Sequence, residues 1–401
     1  MSITFVHTGD GHIDSDAHGT INPQTGINRA WESHAQVLRN AVDEAVSRKA
    51  EFFLHAGDGF KTGRPSQEAV LLFADVFKPL VQAGIPLVLL GGNHELLQVP
   101  VSQRTATETV GDLLKPHGEV HVVERDPRLV QLSSGVQVAA LPWLSKTRIL
   151  QRVGFEGDDP LEGDRKVAQF ALDSLEQLSG EADSSAPYIL ASHVTVDDVR
   201  IDSLAEGARR GSEVDIAQVF AEPIVPRRGI EESPVSYAAL SHIHARQRMG
   251  EKCFYAGSPD RLTMTDADDP KSVNFVTVSD GNTLEKVEQF DTSPRAMHSI
   301  SLTDEDAEEQ LDALTEGALV RLVLPPGESV VPEEVRKAVA EAGAQVAVTK
   351  VTPKARRKNK AATLPENVGP EQALRSWFQK VAPEGVDQEH AIKLTNQMMG
   401  A

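Results

Sequence analysis

The residues of this chain that can do chemistry stand at the ends of apolar runs. "SITFVHTGDGH" closes on Asp10 and His12, "EFFLHAGD" on Asp58, and "IPLVLLGGNHE" on Asn93, His94 and Glu95. Later, "YILASHV" carries His193, and "VSYAALSHIH" carries His242 and His244. Asp10, His12, Asp58, Asn93, His193, His242 and His244 offer carboxylate, amide and imidazole donors. That mixed set suits Mn2+, Fe2+ or Zn2+ better than an all-oxygen Ca2+ or Mg2+ site. Seven donors are too many for one ordinary ion and fit two ions that share a bridging carboxylate. Side chains two apart in a strand share a face, so the Asp-x-His and His-x-His spacings are expected to aim two ligands at one point from extended backbone.

Each piece alone has an ordinary explanation. An Asp after a strand commonly caps a helix or closes a turn, and a single histidine such as His193 is commonly a hydrogen-bonded side chain. Gly91, Gly92 and Asn93 suit a turn that needs positive φ. The same residue types at the same kind of place in five segments favour a metal site over these separate accounts. His7 and His55 lie inside strands shortly before Asp10 and Asp58 and read as hydrogen-bonded core groups that support ligands.

Converging such groups requires strands whose C-terminal ends share an edge, the place where open α/β sheets bind ligands. The first 90 residues read strand, helix, strand, helix, strand, with Trp31, Ala35, Leu38, Val42, Ala45 and Val46 at helical spacing and a second helix over roughly 67 to 83. Further strands are expected over 136–143, 188–194, 235–244, 253–258 and 272–278. This order predicts an α/β protein with helices on both faces of its sheet.

At 401 residues the chain exceeds one typical domain, which predicts a catalytic domain and an accessory one. The composition, 40% hydrophobic and 25% charged, is globular. With no apolar stretch near membrane-span length and no signal-peptide pattern, a soluble, cytoplasmic protein without a membrane partner is expected. A single cysteine, Cys253, excludes an internal disulfide framework and a thiolate cluster. The net charge of -19 argues against coating nucleic acid by bulk electrostatics, but leaves room for a metal-lined or locally cationic cleft. The acidic, alanine-rich, aromatic-poor composition suggests a bacterial or phage source.

Asp-x-His, Gly-Asp, Gly-Asn-His-Glu, a single His and His-x-His, in that order, resemble the calcineurin-like metallophosphoesterases. The resemblance implies their fold, a two-sheet sandwich flanked by helices around two metal ions. A narrower likeness is to SbcD-type DNA double-strand-break-repair nucleases and covers about residues 1 to 280. "FVHTGDGHID" is similar to their H-T-S-D-x-H opening, "HAGDGFKTGRPS" to A-G-D-x-F followed by R-P-S, "YAALSHIHARQ" to Y-x-A-L-G-H-I-H, and "YAGSPDRL" to Y-x-G-S-[PT]-x-R. The resemblance implies that Asp10, His12 and His244 hold one divalent cation and Asn93, His193 and His242 the other, with Asp58 bridging and Mn2+ the expected ion. His94 would remain unliganded beside the leaving-group oxygen of a phosphodiester as a general acid. Lys61 and Arg64 are expected to contact substrate phosphate, although Lys61 reads equally as a solvated lysine. Ser241 stands where the family has Gly. At positive φ it would carry strain, whereas extended backbone accepts it.

The nuclease domain is expected over 1–285. Residues 290–352 read β-α-β-α-β, with helices near 304–314 and 332–342, a small α+β unit that by analogy caps the nuclease and helps admit DNA. The basic stretch 353–369, with Lys354, Arg356, Arg357, Lys358 and Lys360, reads as a linker that can also touch DNA. In the helical segment 370–401, Ala373, Leu374, Trp377 and Phe378 form an apolar stripe too large for so short a segment to bury alone. The resemblance implies that it docks on an SbcC-type, SMC-like ATPase, and that the nuclease domain forms a homodimer. Three functions follow: a Mn2+-dependent DNA exonuclease/endonuclease subunit of an SbcCD-like repair complex, a small-molecule phosphodiesterase or phosphatase on the same fold, and an inactive scaffold working through its tail. The full donor set counts against the third, and the appended segments count against the second.

Overall fold

A computed structural model describes residues 2–17, 19–96, 99, 102–199, 223–264, 266–351, 375 and 388–389. Its first half runs β1 (Ser2–Thr8), α1 (Arg29–Ser47), β2 (Phe53–His55), α2 (Gln67–Gln82), β3 (Leu87–Leu90), α3 (Asn93–Leu96), α4 (Ala106–Leu114), β4 (Val120–Val123), β5 (Arg128–Gln131), β6 (Gln137–Leu141), α5 (Lys146–Arg152) and α6 (Pro160–Glu181). It continues with β7 (Tyr188–His193), β8 (Thr195–Val196), β9 (Ile224–Val225), α7 (Arg227–Glu232), β10 (Tyr237–Ser241), β11 (Gln247–Arg248), β12 (Cys253–Tyr255), β13 (Ser272–Ser279) and β14 (Leu284–Asp291). Last come β15 (Met297–Ser301), α8 (Ala307–Asp312), β16 (Leu319–Leu324), α9 (Glu333–Glu341) and β17 (Gln345–Val351).

Two six-stranded sheets follow from this order. One runs β14-β13-β1-β2-β3-β4, the other β11-β12-β10-β7-β6-β5. In the first sheet β1 to β4 are parallel and β13 and β14 close one edge antiparallel; in the second, β12, β10, β7 and β6 are parallel and the two edge strands, β11 and β5, are antiparallel. Alternation along each strand sorts the side chains to two faces. Phe53, Leu87 and Leu89 face α1 and α2, whereas Leu54, Val88 and Leu90 face the second sheet and meet Val138, Ile189, Ala191 and Ala239. Phe5 stacks on Phe52 at 4.5 Å and meets the edge of Tyr237 at 5.8 Å. On the outer face of the second sheet, Val167, Ala171 and Leu175 of α6 and Ile230 of α7 cover Leu190, Ala238 and Leu240. The result is helix, sheet, sheet, helix. Strands buried on both faces read as continuous apolar runs for this reason.

The helices begin where their caps dictate. Asn28 accepts from the Ala30 amide ahead of α1, Ser66 from Ala69 ahead of α2, and Thr105 with Glu108 forms a reciprocal capping box on α4. The strands are shorter than the apolar runs suggest: β1 stops at Thr8 and β10 at Ser241, so Asp10, His12, His242 and His244 lie past strand ends. The structure adds α4, α6, β4, β5 and β14, whose mixed small, charged and apolar residues give no clean period.

After β14 the chain forms a three-stranded sheet, β15-β16-β17, with α8 and α9. Its core is Ile300, Leu311, Val320, Leu322, Val335 and Val339. Met264 and Ala267, from the loop after β12, pack on Met297 and Leu319 of this sheet. Met1–Leu324 and Val330–Lys350 form one compact unit. Pro325–Ser329 and Val351–Ala401 form a second, in which the Arg375 guanidinium donates to Glu389 Oε1 at 2.8 Å. The linker 353–369 and the stripe Ala373, Leu374, Trp377 and Phe378 lie outside the described residues. Among the described residues, no helix is long and apolar enough to cross a membrane.

Candidate metal centre

The loops that leave β1 and β2 stay bonded to each other beyond the sheet. Asp10 N donates to Gly57 O at 2.9 Å, His12 N to Asp58 O at 3.0 Å and Ile13 N to Gly59 O at 2.9 Å. Within this frame Asp10, His12 and Asp58 take left-handed backbone, with φ of 51°, 38° and 51°, and His242 takes φ 95°. The expectation that Asp-x-His and His-x-His ligands project from extended backbone is therefore corrected. A strand continuing straight would send these side chains between the layers; positive φ turns the chain across the sheet ends, so they converge. Non-glycine residues in this region cost on the order of 1–3 kcal/mol each, and such strain gathers at functional sites. Ser241 itself ends β10 and is absent from the positive-φ residues; the unusual backbone falls one residue later, on His242.

Three clusters of donor atoms result: Asp10, His12 and His244; His12, Asp58 and His94; and Asp58, His193 and His242. His12 Nε2 and His244 Nε2 face each other at 3.2 Å. Asp58 Oδ2 lies 3.3 Å from His193 Nε2, 3.8 Å from His12 Nε2 and 4.0 Å from His94 Nε2. Asn93 Oδ1 lies 3.0 Å from His193 Nε2 and 3.2 Å from His242 Nδ1. Asp10, His12, Asp58, Asn93, His193, His242 and His244 are all buried, whereas the His94 side chain is 26% exposed and borders solvent.

The surrounding bonds fix how the rings face. The Ala56 carbonyl, 3.0 Å from His193 Nδ1, requires the proton on that nitrogen and turns Nε2 toward Asp58 and Asn93. The Lys61 carbonyl, 2.8 Å from His94 Nδ1, does the same for His94. Asp58 Oδ1 accepts from His94 N at 3.0 Å. Asp10 accepts from His242 N and from Ser241 Oγ, the latter at 2.8 Å. Gly92 is required by space: a Cβ there would lie 2.0 Å from Asp58 Oδ1.

Burial acts to raise the Asp58 carboxyl, but the imidazoles of His193, His94 and His12 outweigh it and hold that group well below the carboxylate range. Burial likewise opposes protonation of His193, and the Asp58 carboxylate overcomes it, raising this histidine to about 9. At His12 burial prevails over Asp58 and lowers the imidazole. His7 and His55 are pushed down to about 3 and about 4, chiefly by burial, and are neutral. His7 Nδ1 meets the Tyr237 hydroxyl at 2.9 Å, a core contact.

This donor set fits divalent cations. A proton on His193 Nε2 joins it to Asp58 Oδ2 and Asn93 Oδ1, and a divalent cation would take that proton's place among the same three donors, while His12 Nε2 faces His244 Nε2 at a second place that suits a cation. Lys61 and Arg64 lie on the loop after β2. Lys61 engages through its backbone, its amide donating to Asp14 Oδ1 at 2.5 Å, and the exposed Arg64 donates to Gln103 Oε1 at 3.3 Å.

Sequence spacing assigns no role to three neighbours. Glu95 is buried and accepts from Phe60 N at 3.1 Å and Gly92 N at 3.0 Å, tying the loops after β2 and β3 together. Asp14 anchors the Lys61 backbone. Ser241 reaches Asp10. Glu95 and Ser241 carry a signal in the chain, the first as the end of the Gly-Asn-His-Glu motif and the second as the residue that departs from its motif, and Asp14 carries none.

The fold and these clusters define a class. The profile of the calcineurin-like phosphoesterases matches residues 3–244, and the chain belongs to that family of metal-dependent phosphoester hydrolases. Family membership and the clusters together support a dinuclear divalent metal site. The chain is similar to the SbcD component of the SbcCD nuclease of Escherichia coli strain K12, 26% identical over 307 residues, 73% of this chain and 70% of that protein. The protein of the same name from Escherichia coli O157:H7 gives the same figures, 26% over 307 residues. The uncharacterized metallophosphoesterase YhaO of Bacillus subtilis is 34% identical over 96 residues, 24% of each chain. A solved dimetal phosphatase from Danio rerio aligns with a TM-score of 0.39 at 12% identity, covering 72% of this chain and 98% of that one.

Proposed function

We propose that this protein is a Mn2+-dependent DNA exonuclease/endonuclease subunit of an SbcCD-like repair complex. In this reading Asp10, His12 and His244 hold one ion, Asn93, His193 and His242 the other, and Asp58 joins them. The observation that carries it is the place of Asp58, whose Oδ2 reaches both the His193 and the His12 ring nitrogens, at 3.3 and 3.8 Å. When bound, the ions supply the positive charge that makes an anionic phosphodiester open to attack by water.

The chain's own residues do the rest. Asp58, kept ionised by its imidazole neighbours, binds cations at neutral pH. His94, with Nδ1–H donated to the Lys61 carbonyl, presents Nε2 from the rim of the site and, as the imidazolium, gives its Nε2 proton to the departing oxygen, leaving the neutral ring. The loop bearing Lys61 and Arg64 takes the flanking phosphates.

The likeness to the SbcD nuclease components, which extends over 307 residues, past the 3–244 profile match, supports a nuclease over a small-molecule enzyme. By the same likeness the C-terminal segment 370–401 docks on an SbcC-type ATPase, the β15–β17 unit caps the nuclease, the nuclease domain pairs with a second copy, and the protein works in the cytoplasm on nucleoid DNA. A phosphatase or phosphodiesterase acting on small molecules is the second reading, favoured by the -19 net charge. The two separate by substrate. Hydrolysis of linear duplex DNA well above that of cyclic nucleotides and a nitrophenyl phosphodiester supports the nuclease, the ATPase partner being added where the chain alone is inactive. The reverse preference with partner present supports the second reading.

A further inference from the structure

Gly9 and Ser241 meet across the two sheets. Gly9 follows β1 in the first sheet, and Ser241 ends β10 in the second, paired with His193 of β7. A Cβ added at Gly9 would lie 2.1 Å from Ser241 Oγ and 2.8 Å from Ser241 Cβ; its next neighbour, Gly57 O, is at an ordinary 3.5 Å. Gly9 is not among the glycines with positive φ, so backbone conformation does not demand a glycine there. The obstacle is the Ser241 side chain alone. The motifs this chain resembles carry serine at the position of Gly9 and glycine at that of Ser241, the opposite arrangement.

We infer that Gly9 and Ser241 are a reciprocal pair with room for one side chain, and that the Ser241 hydroxyl is a positioning group for Asp10. The hydroxyl is buried and donates to Asp10 Oδ2 at 2.8 Å, while His242 N donates to Oδ1 at 3.0 Å. Each oxygen of this carboxylate is thus tied to the end of β10, and the loop after β1 is pinned to the second sheet at the point where Asp10 joins His12 and His244. The second half of this inference rests on the reading of Asp10 as a metal ligand; the first half does not.

The test compares wild type, Ser241→Ala, Gly9→Ser, Ser241→Gly and the exchange Gly9→Ser/Ser241→Gly, read by thermal melting without metal and by calorimetric titration with Mn2+. Gly9→Ser alone should melt well below wild type or fail to fold, and adding Ser241→Gly should return a folded protein. Harmless Gly9→Ser, or equal harm in both backgrounds, would overturn the reciprocal pair. Ser241→Ala should weaken binding of one of two Mn2+ ions by about 10-fold or more, as loss of groups that orient ligands does. Wild-type affinity in Ser241→Ala would overturn the positioning role. A wild-type chain that takes up no Mn2+ would defeat the metal-site reading and the Asp10 half with it, and the melting series would still decide the pair.

Discussion

His94 is held by a backbone carbonyl. Its Nδ1 lies 2.8 Å from Lys61 O while its Nε2 stands 4.0 Å from Asp58 Oδ2, so one bond keeps a proton on Nδ1 and sets the direction of the nitrogen that faces the centre. The ring is partly open to solvent, whereas the metal-ligand candidates are buried. Replacement by alanine is expected to leave Mn2+ binding near wild type and to lower kcat by about 10²–10⁴-fold on DNA, the usual worth of a general acid. The loss should shrink for a nitrophenyl ester, whose leaving group needs little protonation. Equal losses on both substrates would remove the acid role.

The same carbonyl depends on Asp14. Its Oδ1 accepts from Lys61 N at 2.5 Å and its Oδ2 from Thr62 Oγ1 at 3.3 Å, so Asp14 holds the chain on both sides of the Lys61 carbonyl that orients His94. Asp14→Ala should lower kcat on the order of 10-fold with Mn2+ affinity unchanged, because a small misplacement of a reacting group is costly. No further loss when Asp14→Ala is added to His94→Ala would show that the two act as one. Independent, multiplying losses would separate them.

Glu95 closes the loops after β2 and β3 through two backbone amides, Phe60 N and Gly92 N. Glu95→Ala strands both donors in a buried place, and an unsatisfied buried group costs about 1–3 kcal/mol. The variant should unfold at lower denaturant concentration by at least that amount and bind Mn2+ weakly, since Gly92 packs on Asp58. Unchanged stability would mean that water replaces the carboxylate freely.

Glu124, past the end of β4, gives a pH dependence with a defined sign. Burial pushes its carboxyl from the ordinary 4.5 to about 7. A raised pKa means the folded state binds the proton more tightly, so the stability it contributes is whole below about 4.5 and is lost as pH rises through about 7. Glu124→Gln should therefore be more stable than wild type at pH 8, by on the order of 3 kcal/mol, and lose that advantage by pH 5. Melting curves at the two pH values check it; an advantage at pH 5 alone would reverse the sign.

Much of this centre is legible in the chain because its donors stand next to features that are themselves legible. Asn93 and His94 follow an apolar run and a pair of glycines, and Gly92 is a glycine because Asp58 fills the place of its Cβ. The sheet order could not be read, since it is set by the pairing of β13 with β1 and of β10 with β7, contacts between segments far apart in sequence. Nor could the turn at Asp10 and His12: two-residue spacing suits a strand, and only the bonds from Asp10 N and His12 N to Gly57 O and Asp58 O reveal left-handed backbone. Asp14 acts through a peptide group, which leaves no mark on residue type, and the bonds of Glu95 to Phe60 N and Gly92 N show only in the fold, although its motif is legible. The departure at Ser241 is visible in sequence, and its partner Gly9 becomes visible only when the two strand ends are brought together.

In the function proposed above, one carboxylate, Asp58, joins two cations in a centre that cleaves DNA. The most direct test is cleavage of end-labelled linear duplex DNA in Mn2+ by wild type and by Asp58→Asn, with the partner ATPase present and both proteins matched by melting temperature. The expected result is a Mn2+-dependent ladder from the wild type that chelation abolishes, and loss of the ladder in Asp58→Asn together with weaker uptake of both ions. Cleavage by Asp58→Asn at the wild-type rate would contradict it.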